Sequence, residues 1–302
     1  ERAAALERTA REISALGAGD LRVHRGAMSD PLFPEAPYDK LDPSVGGADL
    51  ILDPQTIRCR YPFLNPATIA ALLPRRCGWL AAQQLGMWML EQARDAGVEL
   101  VEGRLTSVAV ESGRMTGVEI ARPAGTVERI STGTLVNAAG PLAPEVGKLC
   151  GLELPLFNEL HGKVYLDDAE QVVPRELPLM IWCDPVTLDW GEEERAELAA
   201  EPELAYLTRA LPGGVHFRPE GGRDSRMLLL LFTYHLDALA PVWPPKFDPW
   251  YPEVALRAVA QMVPGFGVYL SDKMERSFVD GGYYCKTAEN RLLVGPTPVA
   301  GF

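Results

Sequence analysis

Gly282-Tyr283-Tyr284-Cys285-Lys286-Thr287-Ala288-Glu289-Asn290-Arg291-Leu292-Leu293-Val294-Gly295-Pro296-Thr297-Pro298 decides how this chain is read. Gly281-Gly282 reads as a turn, and a Tyr pair with strand character follows it. A polar bend then leads to a second short strand at 292–294, which Gly295, Pro296 and Pro298 stop. Side chains alternate faces along a strand, so Tyr283 and Tyr284 point to opposite sides.

Working upstream, residues 79–96 give the clearest helix. Leu85, Trp88, Met89, Ala93 and Ala96 make one face, and Gly97 ends it. A short strand at 98–101 follows. Residues 105–110, 117–120 and 127–130 alternate as a β-meander, with Ser112-Gly113 as a turn. Residues 134–140, Thr-Leu-Val-Asn-Ala-Ala-Gly, read as an apolar strand running into small residues and then a helix near 144–150. Without large side chains at Ala138, Ala139 and Gly140, a diphosphate or ribose can lie close to the backbone.

Past Gly151 the texture changes. Runs at 161–166, 179–182, 215–218 and 227–234 are strand-like and separated by long polar loops, so a mostly antiparallel sheet is expected. An acidic surface helix is expected over 192–211, a helix at 253–263 ended by Pro264-Gly265, and a strand at 275–279 leading to Gly281. The N-terminal residues 6–16 have helical spacing, and a small helix is expected near Asp53-Pro54 in an otherwise irregular stretch, 18–66.

Composition excludes several classes. The 302 residues carry 41 acids and 29 bases, a net charge of −12, which disfavours nucleic-acid and anionic-membrane partners. The five cysteines form no CxxC, and the four histidines do not cluster with them, so no metal site is expected. An odd cysteine count without a secretory segment points to a reducing cytosol. The longest apolar run, 227–232, is far short of the ~20 residues a membrane span needs. No signal peptide is read at the N-terminus, where charges punctuate a helix from Glu1.

The order helix, strand, meander, strand-Ala-Ala-Gly, substrate-type sheet, then Gly282-Tyr283-Tyr284-Cys285-Lys286-Thr287 resembles the amine-oxidising flavoenzymes of the D-amino-acid oxidase, glycine oxidase and sarcosine oxidase superfamily. Their segment runs small-x-Tyr-x-x-Thr-x-Asp and then an apolar strand ending in Gly. Here Glu289 replaces the acid, Leu292 a usual proline, and Leu142 a frequent Trp. The resemblance implies an α/β fold: an incomplete FAD-binding Rossmann-like domain interleaved with an α+β substrate domain on a mostly antiparallel sheet. It places residues 1–74 with the substrate domain, 75–155 in the FAD domain, 156–280 in the substrate domain and 281–302 back in the FAD domain. The family's G-x-G-x-x-G unit is absent from these residues, and its closing flavin-binding helix would follow Phe302, so the chain reads as an internal piece of a flavoenzyme.

The resemblance further implies FAD as cofactor and a small amino acid or N-methyl amine as substrate, oxidised at its CH–NH bond by an oxidase. Two rivals are a dehydrogenase passing electrons to a carrier protein and a non-catalytic scaffold with the FAD fold. Tyr284 matches a substrate-facing position. Gly282 matches the position where some members carry a Cys linked to FAD, so non-covalent FAD is expected. Leu105 matches a main-chain contact to adenine. Arg218, Arg276 and Lys286 are candidates for a substrate carboxylate, and His161, opening a strand, for a place near the flavin.

Overall fold

The computed structural model describes residues 2–34, 44–270 and 277–302. In chain order its elements are α1 (Arg2–Ile13), β1 (Leu21–His24), β2 (Ala48–Ile51), α2 (Pro54–Arg60), β3 (Ala71–Pro74), α3 (Ala82–Asp95) and β4 (Arg104–Glu111). Then come β5 (Arg114–Ala121), β6 (Val127–Ser131), α4 (Ala143–Leu149), β7 (Phe157–Asp167), β8 (Met180–Trp182) and β9 (Val186–Thr187). The last are α5 (Glu192–Ala200), β10 (Ala210–Leu211), β11 (Val215–Pro219), β12 (Met227–Leu231), α6 (Tyr251–Met262) and β13 (Phe278–Lys286). They form two compact units. The first holds residues 1–79, 162–234 and 247–280, and the second 80–161, 235–246 and 281–302.

In the first unit, β12 is an unbroken apolar run, and Leu228, Leu229 and Leu230 are all buried, so the strand is covered on both faces. It pairs antiparallel with β7 on one side and β11 on the other; β11 pairs with β8, giving the order β13-β7-β12-β11-β8. Strands β7 and β13 run through the boundaries at 161/162 and 280/281, so each supplies residues to both units. Helix α6 contributes Val254, Ala255, Leu256, Ala258, Val259 and Met262 to the core that Phe217, Phe232 and Phe266 fill. Burying each large apolar side chain there contributes about 1.5–3 kcal/mol. The helix stops where Asn65 takes its last carbonyls: Asn65 N donates to Met262 O at 2.7 Å and Nδ2 to Gln261 O at 2.9 Å.

A three-stranded sheet, β1-β2-β3, carries a buried charge. Asp49 on β2 has 0% exposure. It accepts hydrogen bonds from Arg22 Nε (2.7 Å) and Nη2 (2.9 Å), His24 Nε2 (2.8 Å) and Arg75 Nε (2.5 Å). Burial alone pushes the Asp49 carboxyl up, but the hydrogen bonds from Arg22, His24 and Arg75 outweigh it and hold the pKa below the usual carboxylate value.

In the second unit, β4, β5 and β6 form an antiparallel meander. Ser112 and Gly113 both have positive φ (51° and 78°), as a two-residue turn between right-twisted strands requires. Val108, Met115, Val118 and Cys150 make a small core, against which Leu105, Ile120, Leu135 and Phe302 pack. Met115 N donates to Ala300 O at 3.0 Å and Leu135 N to Gly301 O at 2.8 Å. A Cβ on Gly301 would sit 2.2 Å from Gly133 O, so only glycine fits that approach.

Several sequence expectations need correction. Residues 98–101, 134–139 and 292–294 form no strands. Leu100, Val136 and Leu292 are 63%, 80% and 92% exposed, and Leu85, Trp88 and Met89 on α3 are exposed too. A strand exists only through a neighbour's hydrogen bonds, and no strand among the described residues pairs with these segments. Gly281 and Gly282 lie inside β13 instead of forming a turn. The helix expected over 192–211 ends at Ala200, before Pro202. Arg276 and the start of the strand expected at 275–279 lie outside the described residues.

Two measurements follow from these features. Asp49→Asn leaves buried guanidinium groups without their counter-charge, and it is expected to destabilise the protein by about 3–5 kcal/mol near pH 7. The Asp49 pKa is depressed in the folded state, so its contribution is present above the unfolded pKa of about 3.9 and is lost as pH falls through the folded value. Denaturant titrations should show the gap between parent and variant closing below about pH 4; a pH-independent gap would contradict this account. The 302-residue chain produced by itself is expected to bind the dye ANS strongly through its bare apolar positions. Dye emission no higher than with a monomeric globular protein of similar size would show that face to be covered.

Candidate active site

Alternation along β7 and β13 builds one patch in the second unit. Glu159 and His161, two apart on β7, meet Tyr284 and Lys286, two apart on β13. The rings of His161 and Tyr284 stack with centroids 3.8 Å apart and planes within 7°. Lys286 Nζ lies 2.9 Å from both carboxylate oxygens of Glu159, and His161 Nε2 lies 3.2 Å from Glu159 Oε2. Glu159 is 5% exposed. Burial works to raise its pKa, but the hydrogen bonds from Lys286 and His161 hold the carboxyl below its usual range. For His161, burial dominates and lowers the pKa; Glu159 works against that shift and the Lys286 charge adds to it.

Tyr284 is 56% exposed, and its hydroxyl has no hydrogen-bond partner among the described residues. Tyr283 turns the other way. Its hydroxyl accepts from Val242 N at 2.9 Å and donates to Val242 O at 3.2 Å, and its ring meets Trp243 edge-on at 5.6 Å. Beside Tyr284, a Cβ at Gly282 would meet nothing within 4 Å. Thr287 closes the bend after β13: it is buried, its Oγ1 donates to Arg291 O at 2.9 Å and accepts from Arg291 N at 2.9 Å. Glu289, at the position where relatives have Asp, is exposed on that bend.

The other sequence candidates are distributed as follows. Ala138 and Gly140 are exposed and Ala139 is half-buried; Gly140 has φ +55°, with open space where a Cβ would be. Two asparagines hold this turn: Asn137 Nδ2 donates to Ala143 O and Asn158 Nδ2 to Pro141 O, each at 3.0 Å. Leu105 packs its side chain into the small core on an edge strand, so a ligand contact there runs through the main chain. Arg218 belongs to the first unit, where it pairs with Glu220 Oε2 at 2.6 Å and lies over Trp79. The hollow of about 510 Å³ in the first unit is lined in part by Trp190 and Arg257, but Arg257 is held by Glu194, Glu253 and Asp189 O.

Sequence reasoning missed Glu159 and Asn158. Glu159 stands two residues before His161, and Lys286 two after Tyr284, so period-2 alternation was the signal available for Glu159. Nothing in the sequence marked the pairing of two positions 127 residues apart.

A model of the FAD dependent oxidoreductase family, DAO, matches residues 32–302. The chain belongs to this family. Human mitochondrial dimethylglycine dehydrogenase is 32% identical over 134 residues, covering 43% of this chain and 15% of that protein. Two solved structures share the fold: L-proline dehydrogenase from P. horikoshii (TM-score 0.53, 14% identity, 84% of this chain) and glycine oxidase from Bacillus cereus ATCC 14579 (TM-score 0.52, 12% identity, 85% of this chain). The chain spans 57% of the length of each of those two proteins. The family's cofactor is FAD. The open main-chain positions at Gly140 and Gly282 are compatible with such a group, because a Cβ at either would meet nothing within 4 Å. Among the described residues no helix is long and apolar enough to cross a membrane.

Proposed function

We propose that the protein oxidises the CH–NH bond of a small amino acid or N-methyl amine, with the patch around Tyr284 as its substrate-facing surface. The observation that carries this reading is the half-open Tyr284, its ring braced on His161 and its hydroxyl free of partners among the described residues. FAD, when bound, supplies the two-electron acceptor. Ala138, Ala139, Gly140, Gly282 and the main chain at Leu105 would hold it. The chain's own residues orient the substrate: the Tyr284 hydroxyl hydrogen-bonds its amine or carboxylate, and the stacked imidazole fixes the ring in place. Lys286 is already held by Glu159, and Arg218 by Glu220, so the Tyr284 hydroxyl is the group we assign to substrate contact. The five unpaired cysteines suit a reducing compartment.

A dehydrogenase, which passes its electrons to a carrier protein, is the second reading. It is favoured by the 32% match to dimethylglycine dehydrogenase. Peroxide formed with amine and air alone would select the oxidase.

Two tests use the full-length protein. Gly282 offers no sulfur to link to FAD, so acid precipitation should release the flavin into the supernatant; colour left in the pellet would mean a covalent link. In rapid-mixing experiments, Tyr284→Phe removes one hydrogen bond, of about 0.5–1.5 kcal/mol or up to about 3 kcal/mol to a charged group. Flavin reduction or amine affinity should therefore fall roughly 2- to 100-fold. Tyr283→Phe should instead lower thermal stability with little change in rate, because its hydroxyl serves Val242. The reverse pattern would exchange the roles of the two faces.

A further inference from the structure

Three groups face the His161 imidazole: Glu159 from its own strand β7, and Tyr284 and Lys286 from β13. A carboxylate can only accept hydrogen bonds. The 3.2 Å contact between Glu159 Oε2 and His161 Nε2 therefore requires a proton on Nε2. In the neutral ring the lone pair then lies on Nδ1, and no described residue hydrogen-bonds that atom. The 2.9 Å contacts from Lys286 to both Glu159 oxygens offset the carboxylate charge that would otherwise draw a second proton onto the ring.

From this juxtaposition we infer that Glu159 is a positioning residue for the proposed amine oxidation: it locks His161 as the Nε2–H tautomer, so that Nδ1 is the proton acceptor of the patch, with the Lys286 ammonium offsetting the carboxylate's pull on a second proton. The inference rests on the amine reading only for the use of that acceptor. A protonated amine gives one proton to Nδ1; the ring becomes an imidazolium that keeps its Nε2–H bond to Glu159, and it returns the proton to water. The lowered pKa of His161 is consistent with a neutral ring at pH near 7. Each oxygen of Glu159 is already engaged, which leaves it a fixed orienter with no proton of its own to exchange.

The test is nitrogen NMR of His161 in the full-length holoprotein, followed through a pH titration, beside the pH profile of amine-driven flavin reduction. The parent should show a proton on Nε2 and a bare Nδ1 at neutral pH. Lys286→Met removes the cation and leaves the carboxylate, so the His161 titration and the acidic limb of the profile should both move up, slowing reduction below that limb. Lys286→Arg should restore both. Glu159→Gln can donate or accept, so it should mix the two tautomers and slow reduction by about 10- to 100-fold. The proposal is overturned if the parent carries its proton on Nδ1, or if Lys286→Met leaves the titration in place. It is equally overturned if Glu159→Gln lowers thermal stability while tautomer and profile stay unchanged. If the NMR outcomes hold and no amine reduces the flavin, the positioning role stands and the amine reading fails.

Discussion

A buried carboxylate needs partners, and much of the second unit's local order follows from how Glu159 finds them. Desolvating an isolated carboxylate costs several kcal/mol, so the charge survives only where hydrogen bonds replace water. Glu159 obtains two from Lys286 and one from His161. Those contacts fix the register of side chains across β7 and β13. That register sets Tyr284 flat against His161 and leaves the small Gly282 beside it. Asp49 in the first unit meets the same constraint differently, with two arginines and a histidine and no exposure at all. One cluster surrounds its carboxylate completely. The other keeps an aromatic hydroxyl open to solvent, which is why the second reads as a site and the first as a structural node.

The two units differ in how completely their apolar surface is used. In the first, β12 and α6 are buried nearly throughout, and the core around Phe217, Phe232 and Phe266 is continuous. In the second, the core is small, α3 has no buried residue, and three apolar segments make no sheet. Hydrophobic sequence without burial contributes little to stability, whatever its strand propensity.

That contrast sets what could be read from sequence. Features encoded within a few residues were legible: the small helix at Asp53-Pro54, the Ser112-Gly113 turn, the meander it joins, and the end of α6 ahead of Pro264. The opposite faces of Tyr283 and Tyr284 followed from alternation alone. What failed depended on a partner elsewhere. Residues 134–139 have a strand's composition, but pairing is a property of two segments, and sequence shows one at a time. Gly281-Gly282 reads as a turn because glycine permits one, yet neither residue has positive φ, and both simply continue β13. Lys286 looked available for a substrate carboxylate until the fold brought Glu159 to it.

Asn158 ties these local solutions together. It precedes Glu159 on β7, so alternation turns its side chain away from the Glu159 face. There Asn158 Nδ2 holds Pro141 O, while its own carbonyl accepts from Leu239 N at 2.8 Å. One end of one strand therefore acts on two sides. One face organises the imidazole and the tyrosine, and the other anchors the turn that follows Ala138-Ala139-Gly140. Among the described residues the buried Oδ1 atom of Asn158 has no hydrogen-bond partner. Asn158 and His161 lie on the same uninterrupted strand, so the backbone of β7 links that turn to the Tyr284 patch.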